Sequence, residues 1–214
     1  MIPAHHPSVE RLLEHAAGAL DLGRRMVIES HLHACAACRR ETRLAEAIGG
    51  ALLQATPPEE LHIHALARAL ARIETPSPPP RRANPIDAPT DWIEVPRDVL
   101  EAVARRRRWA APGVWVAPVR RERSGARSYL LRVAGGMTMP RHTHKGIEMT
   151  CVLKGSFVDR GVVYGQGDFA ETDEAVEHRP AIAGDGECVC LVSADNSLVA
   201  KDWVGRLFQP LVGI

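Results

Sequence analysis

Apolar residues recur at helical spacing through the first third of the chain and at strand spacing through its second half. Val9, Leu12, Leu13, Ala16 and Leu20 follow a helical period behind Ser8, a residue suited to cap a helix N-terminus. Asp21 is placed to cap a second helix through Val27, Ile28 and Leu32. A third runs from about Cys38 through Leu44, Ile48 and Leu52, with Gly49-Gly50 weakening its end. The segment EELHIHALARALARIE sets Leu61, Ala65, Leu66, Ala69, Leu70 and Ile73 on one stripe and predicts a fourth. Beyond a further helix at about Arg97 to Arg108, the pattern changes to short alternating runs, SYLLRVAGG, EMTCVLKGSF and ECVCLVS, punctuated by glycine. These predict six to ten short strands in a sandwich or barrel.

Between the two patterns lies ETPSPPPRRANPIDAPTD, residues 74–91, with six prolines in eighteen residues and Ile86 as its one large aliphatic side chain. Such a segment adds little to a core and reads as a linker. It divides the chain into residues 1–73 and 92–214 and is expected to hold the barrel apart from the helices. Three or four short helices in 73 residues make a marginal core, which a metal staple would help to close.

Charge narrows the function. Lys and Arg total 27 against 26 for Asp and Glu, so the molecule lacks the positive field of a nucleic-acid binder. The run Arg105–Arg108 is the one feature that points to DNA, and it reads as a solvated helix end. No basic cluster precedes an apolar region at the start, and no stretch approaches 18 apolar residues, which predicts a cytoplasmic protein with no membrane partner.

Five cysteines, two of them in Cys35-x-x-Cys38, suggest metal or redox chemistry rather than a disulfide framework. A redox C-x-x-C of the thioredoxin kind would need a preceding strand, which the helical pattern does not offer. His31 extends the motif to H-x-x-x-C-x-x-C. With His31 in the last turn of the second helix, Cys35 stands one turn on, and the C-x-x-C turn brings both thiolates to one point at separations suited to tetrahedral Zn²⁺. A fourth ligand is available from His5 or His6 if the first two helices pack antiparallel. His15, His33, His62 and His64 read as solvated or capping side chains.

A second cluster occupies GGMTMPRHTHKGIEMTCVLKG, which contains G-x5-H-x-H-x3-E-x6-G with Gly136, His142, His144, Glu148 and Gly155. Alternation puts His142 and His144 on one strand face, Glu148 enters from the adjoining strand, and His178 is the histidine left to complete the set. Three histidines and a glutamate accept Zn, Mn, Fe, Ni or Co. Cys188 and Cys190 share a strand face and read, with Cys151, as buried residues; a redox pair is the alternative.

The second motif resembles the first cupin motif, and GQGDFAETDEAVEHRP, with Gly167 and Asp168 at a turn, resembles the second. The phrases AHHPSVERLLEHAAGALD and HLHACAACRRE resemble the ChrR branch of the zinc-binding anti-sigma factors. The resemblance implies an α+β multidomain chain, an N-terminal helical bundle with a zinc site and a C-terminal cupin β-barrel. It implies His6 as the fourth ligand beside His31, Cys35 and Cys38, and zinc as first choice for the cupin ion. It further implies a regulator that sequesters an extracytoplasmic-function (group IV) sigma factor as a 1:1 heterodimer and releases it on singlet-oxygen or organic-hydroperoxide stress. The eight basic and eight acidic residues within 1–73 suit a protein partner better than DNA. The alternative is a cupin metalloenzyme, a dioxygenase or isomerase, with a helical appendage; Glu171, Asp173, Glu174 and Glu177 near His178 are its candidate bases.

Overall fold

The structure, a computed structural model, describes residues 2–74, 91–196 and 199–200. Most of the proline-rich segment, residues 75–90, lies outside the described residues. Four helices precede it: α1 (Val9–Ala16), α2 (Leu22–Ala34), α3 (Ala36–Ala55) and α4 (Ala65–Glu74). Ser8 and Asp21 cap as predicted, their side chains accepting from the amides of Arg11 and Arg24. The first helix stops short of Leu20, because Ala17 closes it and Gly18 turns the chain at φ +68°. The third continues through Gly49-Gly50 to Ala55. Both glycines are exposed with open space around them, so they cost propensity and no packing. The fourth begins at Ala65, four residues after the start of the apolar stripe, leaving Leu61 outside, and buries no residue. His33, His62 and His64 are exposed as expected. His15 is not solvated: its side chain is 13% exposed, held where α1 meets its neighbours and 4.0 Å from Glu29.

After α5 (Arg97–Arg106) come eleven strands among the described residues: β1 (Arg108–Ala111), β2 (Val114–Arg121), β3 (Arg127–Val133), β4 (His142–Thr143), β5 (Glu148–Lys154), β6 (Phe157–Asp159), β7 (Val162–Tyr164), β8 (Phe169–Thr172), β9 (Ala181–Ile182), β10 (Cys188–Ala194) and β11 (Val199–Ala200). They form an antiparallel six-stranded sheet in the order β1-β2-β3-β10-β5-β8, a three-stranded sheet β7-β6-β9 and a pair β11-β4. Among the described residues these sheets do not close into a single hydrogen-bonded barrel; single bridges from Thr138 to Ala181 and from His142 to His178 draw the edges together.

The large sheet is buried on both faces. On β10, Cys188, Cys190 and Val192 point inward with Val152, Phe157 and Ile182, whereas Val189 and Leu191 point outward with Met149, Cys151 and Leu153. The outward set is covered by α2, whose Met26, Val27 and Ile28 are at most 2% exposed and belong to the same cluster. The expectation of a barrel held apart from the helices is therefore not met. A sheet face carrying Met149, Leu153 and Leu191 would be costly in water, and α2 supplies the cover. Ion pairs at the margin join Arg11 to Glu171 at 3.0 Å and Arg24 to Asp195. No helix among the described residues is long and apolar enough to cross a membrane.

Candidate metal centres

The first centre forms where α2 hands over to α3. Cys35 is the single non-helical residue between them, at φ −112° and ψ 105°, and it ends one helix while capping the next. This places His31 in the last turn of α2 and Cys38 in the first turn of α3, both facing Cys35. His31 Nε2 lies 3.3 Å from Cys38 Sγ, and His6 Nδ1 lies 3.4 Å from Cys35 Sγ and 3.5 Å from Cys38 Sγ. All four ligand atoms fall within 4.8 Å of one another. Tetrahedral Zn–S and Zn–N bonds of about 2.3 and 2.0 Å would set ligand atoms roughly 3.3–3.8 Å apart, so the donor set fits a small divalent ion. Of the adjacent histidines, His6 enters the cluster. His5 turns away, its Nε2 3.1 Å from the carbonyl oxygen of Val163 and its ring against Tyr164.

The electrostatics agree. Burial holds His31 at about 4, so at neutral pH its imidazole is uncharged and can offer a lone pair. Burial, with Cys35 beside it, pushes the Cys38 thiol up to about 12. A divalent cation reverses that second effect, because a coordinating thiol is deprotonated outright.

The second cluster lies against a cavity enclosed by the strands, which His142 and His178 line. His142 opens β4 and His144 follows its last residue, and His178 faces them across the bridge between residues 142 and 178. Their ligand atoms also lie within 4.8 Å of one another, with His144 Nε2 2.9 Å from His178 Nε2. The outer nitrogens are occupied: His142 Nδ1 is 2.7 Å from the carbonyl oxygen of Pro140, and His178 Nδ1 is 2.9 Å from Asp159 Oδ2. Such partners fix ring orientation and aim the other nitrogen at a common point, the pattern of metal-binding histidines. Burial depresses His144 to about 3.

Glu148 stands one step outside these three. Its Oε2 is 3.4 Å from His144 Nδ1 and accepts from the Tyr129 hydroxyl at 3.4 Å. Burial raises its carboxyl to about 8. Behind the cluster the cavity is largely apolar, lined by Tyr129, Phe157, Tyr164, Cys188 and Cys190 among others. The last two are free thiols with sulfurs 3.7 Å apart, whereas Cys151 is buried on the opposite sheet face. Of the acidic residues near His178, Glu171 is paired with Arg11 and Glu177 with Arg141. Asp159 and Tyr129 escaped the sequence reading because nothing in a three-residue strand or an alternating run marks which side chains will meet a histidine.

Residues 100–197 match the model of the ChrR cupin-like domain. The whole chain is 33% identical over 218 aligned positions to the anti-sigma-E factor ChrR of Cereibacter sphaeroides, covering 98% of each chain. The chain belongs to the ChrR anti-sigma factor family. A chain in the crystal structure of Rhodobacter sphaeroides SigE in complex with the anti-sigma ChrR is similar throughout, with a TM-score of 0.71 and 31% identity over 91% of this chain and 99% of that one. Within this ChrR-family architecture, His6, His31, Cys35 and Cys38 form a cluster whose geometry could hold a metal ion.

Proposed function

We propose that this chain is a cytoplasmic anti-sigma factor that holds one extracytoplasmic-function sigma factor in a 1:1 complex and releases it under singlet-oxygen or organic-hydroperoxide stress. Zinc at His6, His31, Cys35 and Cys38 fixes the helical part. A second divalent ion, zinc by preference, is held by His142, His144 and His178 with Glu148 beside them. Kinship over nearly the whole length of an anti-sigma factor favours this regulator over a cupin metalloenzyme.

The structural observation that carries the reading is the apolar surface that α3 and α4 leave exposed among the described residues. Leu44, Ile48, Leu52 and Leu53 on α3, and Leu66 and Leu70 on α4, are each 49–76% exposed. A ten-residue helix that buries none of its residues is marginal on its own, and a protein partner that covers it supplies the missing packing. The test is co-expression with an extracytoplasmic-function sigma factor from the same genome, followed by co-purification and a run-off transcription assay. A stoichiometric complex that silences transcription is expected, and Ile48→Asp should weaken it at least tenfold. A chain that binds no such sigma factor while turning over a small molecule would refute the reading.

A further inference from the structure

Two of the four ligands of the first metal centre are held by the cupin. The turn 165–168, between β7 and β8, reaches across to the N-terminal segment. Asp168 is 5% exposed and uses both carboxylate oxygens: Oδ1 accepts from the amides of Ala4 at 2.6 Å and His5 at 3.0 Å in that segment, and Oδ2 accepts from the amide of Gly165 at 2.8 Å within the turn. The next amide, of Phe169, donates to the carbonyl oxygen of His5 at 3.1 Å. Three hydrogen bonds thus clamp the backbone immediately before His6. On the other side of the turn, the Gly167 carbonyl oxygen lies 2.7 Å from His31 Nδ1 and accepts its hydrogen bond, leaving Nε2 to face Cys38. Gly167 is wedged in place, since a β-carbon there would lie 2.9 Å from Ala34 Cβ and from Pro3 Cγ.

We propose that Asp168 is a positioning residue for the metal centre of the helical part, delivering His6 to the ion through the amides of Ala4 and His5. The proposal rests on the reading of His6, His31, Cys35 and Cys38 as a metal site. His6 is itself exposed, so without the clamp it must bear its ordering entropy when it binds the ion. Loss of an outer partner that orients a ligand typically weakens metal binding by about 10–100-fold. The same strand continues into the cupin, where Ala170 and Thr172 line the cavity. Metal retention in the helices therefore depends on where the cupin holds β8.

The experiment uses the full chain loaded with Co²⁺, following the thiolate charge-transfer band that Cys35→Ser abolishes and the rate at which that metal passes to a chromophoric chelator. Asp168→Ala is expected to speed transfer by about 10–100-fold and to alter the cobalt ligand-field spectrum. Ala4→Pro removes the 2.6 Å bond while leaving every cupin residue in place, and should speed transfer severalfold. Glu171→Gln breaks the Arg11 ion pair at the same seam without touching a ligand-bearing backbone, and should change the rate less than twofold. Wild-type rates and spectra in both Asp168→Ala and Ala4→Pro overturn the proposal, as does an equal acceleration by Glu171→Gln. If Asp168→Ala does not fold, Ala4→Pro decides alone, and a rate within twofold of wild type overturns it. A wild-type chain with no cysteine-dependent band fails at the metal site itself, which separates that failure from failure of the clamp.

Discussion

Gly23, in the first turn of α2, lies so close to Ser128 of β3 that a β-carbon on it would sit 2.0 Å from the hydroxyl oxygen. Ser128 is itself buried and bonded to Ser193, so it has little room to yield. Gly23→Ala should therefore lift the start of α2 off the sheet and cost about 1–3 kcal/mol, as overpacking commonly does. Urea unfolding of the variant measures it, and an unchanged midpoint would mean that the helix start is not tightly seated.

Ile28 is wholly buried between the helices and the sheet. Ile28→Ala should cost about 2–5 kcal/mol. Because its neighbours in the cluster include Met149 and Leu191, loss of helical circular dichroism and exposure of the buried Trp115 should shift together. Two separate transitions would show that the seam contributes little.

Cys35→Ser or Cys38→Ser should lower metal content by one ion per chain and weaken sigma inhibition, since a missing thiolate loosens the junction between α2 and α3. Metal analysis of the purified variants checks this, with the cupin ion retained. An unchanged total would remove the first centre.

His142→Ala, His144→Ala or His178→Ala should release the other ion and leave the first. In a reporter strain, sigma binding should persist while induction by singlet oxygen is lost. Glu148→Gln should have the smaller effect on metal content, because its oxygen lies on the far side of His144, against Nδ1. Constitutively high transcription would instead make the cupin part of the inhibitory contact.

The metal-stripped protein should lose stability in acid. His31 and His144 sit near 4 and 3 in the fold against an ordinary 6.5, so the unfolded chain binds more protons below pH 6.5. Their contribution is complete above that value and is lost as pH falls toward 4 and 3. Glu148 works oppositely: raised from 4.5 to about 8, it stabilises below 4.5 and loses that contribution as pH rises to 8. Denaturant midpoints of the wild type, His144→Gln and Glu148→Gln between pH 4 and 8.5 separate the terms. The first variant should flatten the acid limb and the second the alkaline one. Unaltered profiles would mean that these groups are solvated.

What the sequence made legible was local. Ser8 and Asp21 announced helix starts because their side chains bond amides three residues on, and the H-x-x-x-C-x-x-C spacing needs no distant residue to converge. The cupin histidines were readable from strand alternation. Relations between distant segments were not: no local rule connects Asp168 to Ala4, or Gly167 to His31 across 136 residues. Helical period also misjudged Leu61, since a stripe records amphipathicity and not whether anything lies against it. One long-range relation had left a trace. ECVCLVS, read as an alternating run, is apolar at nearly every position, and this strand is buried on both sides.

The cover that α2 provides makes the seam an adhesive when opened. A chain pried apart there would bare Met149, Cys151, Leu153 and Leu191 on one side and Met26, Val27 and Ile28 on the other, two complementary oily strips. Each would seek the nearest substitute, including the matching strip of another copy, so a lasting open state invites dimers that exchange their helical parts, and precipitation. Any release of a partner that keeps this protein reusable has to proceed by small shifts along a closed seam, or be brief enough for the two halves to find each other again.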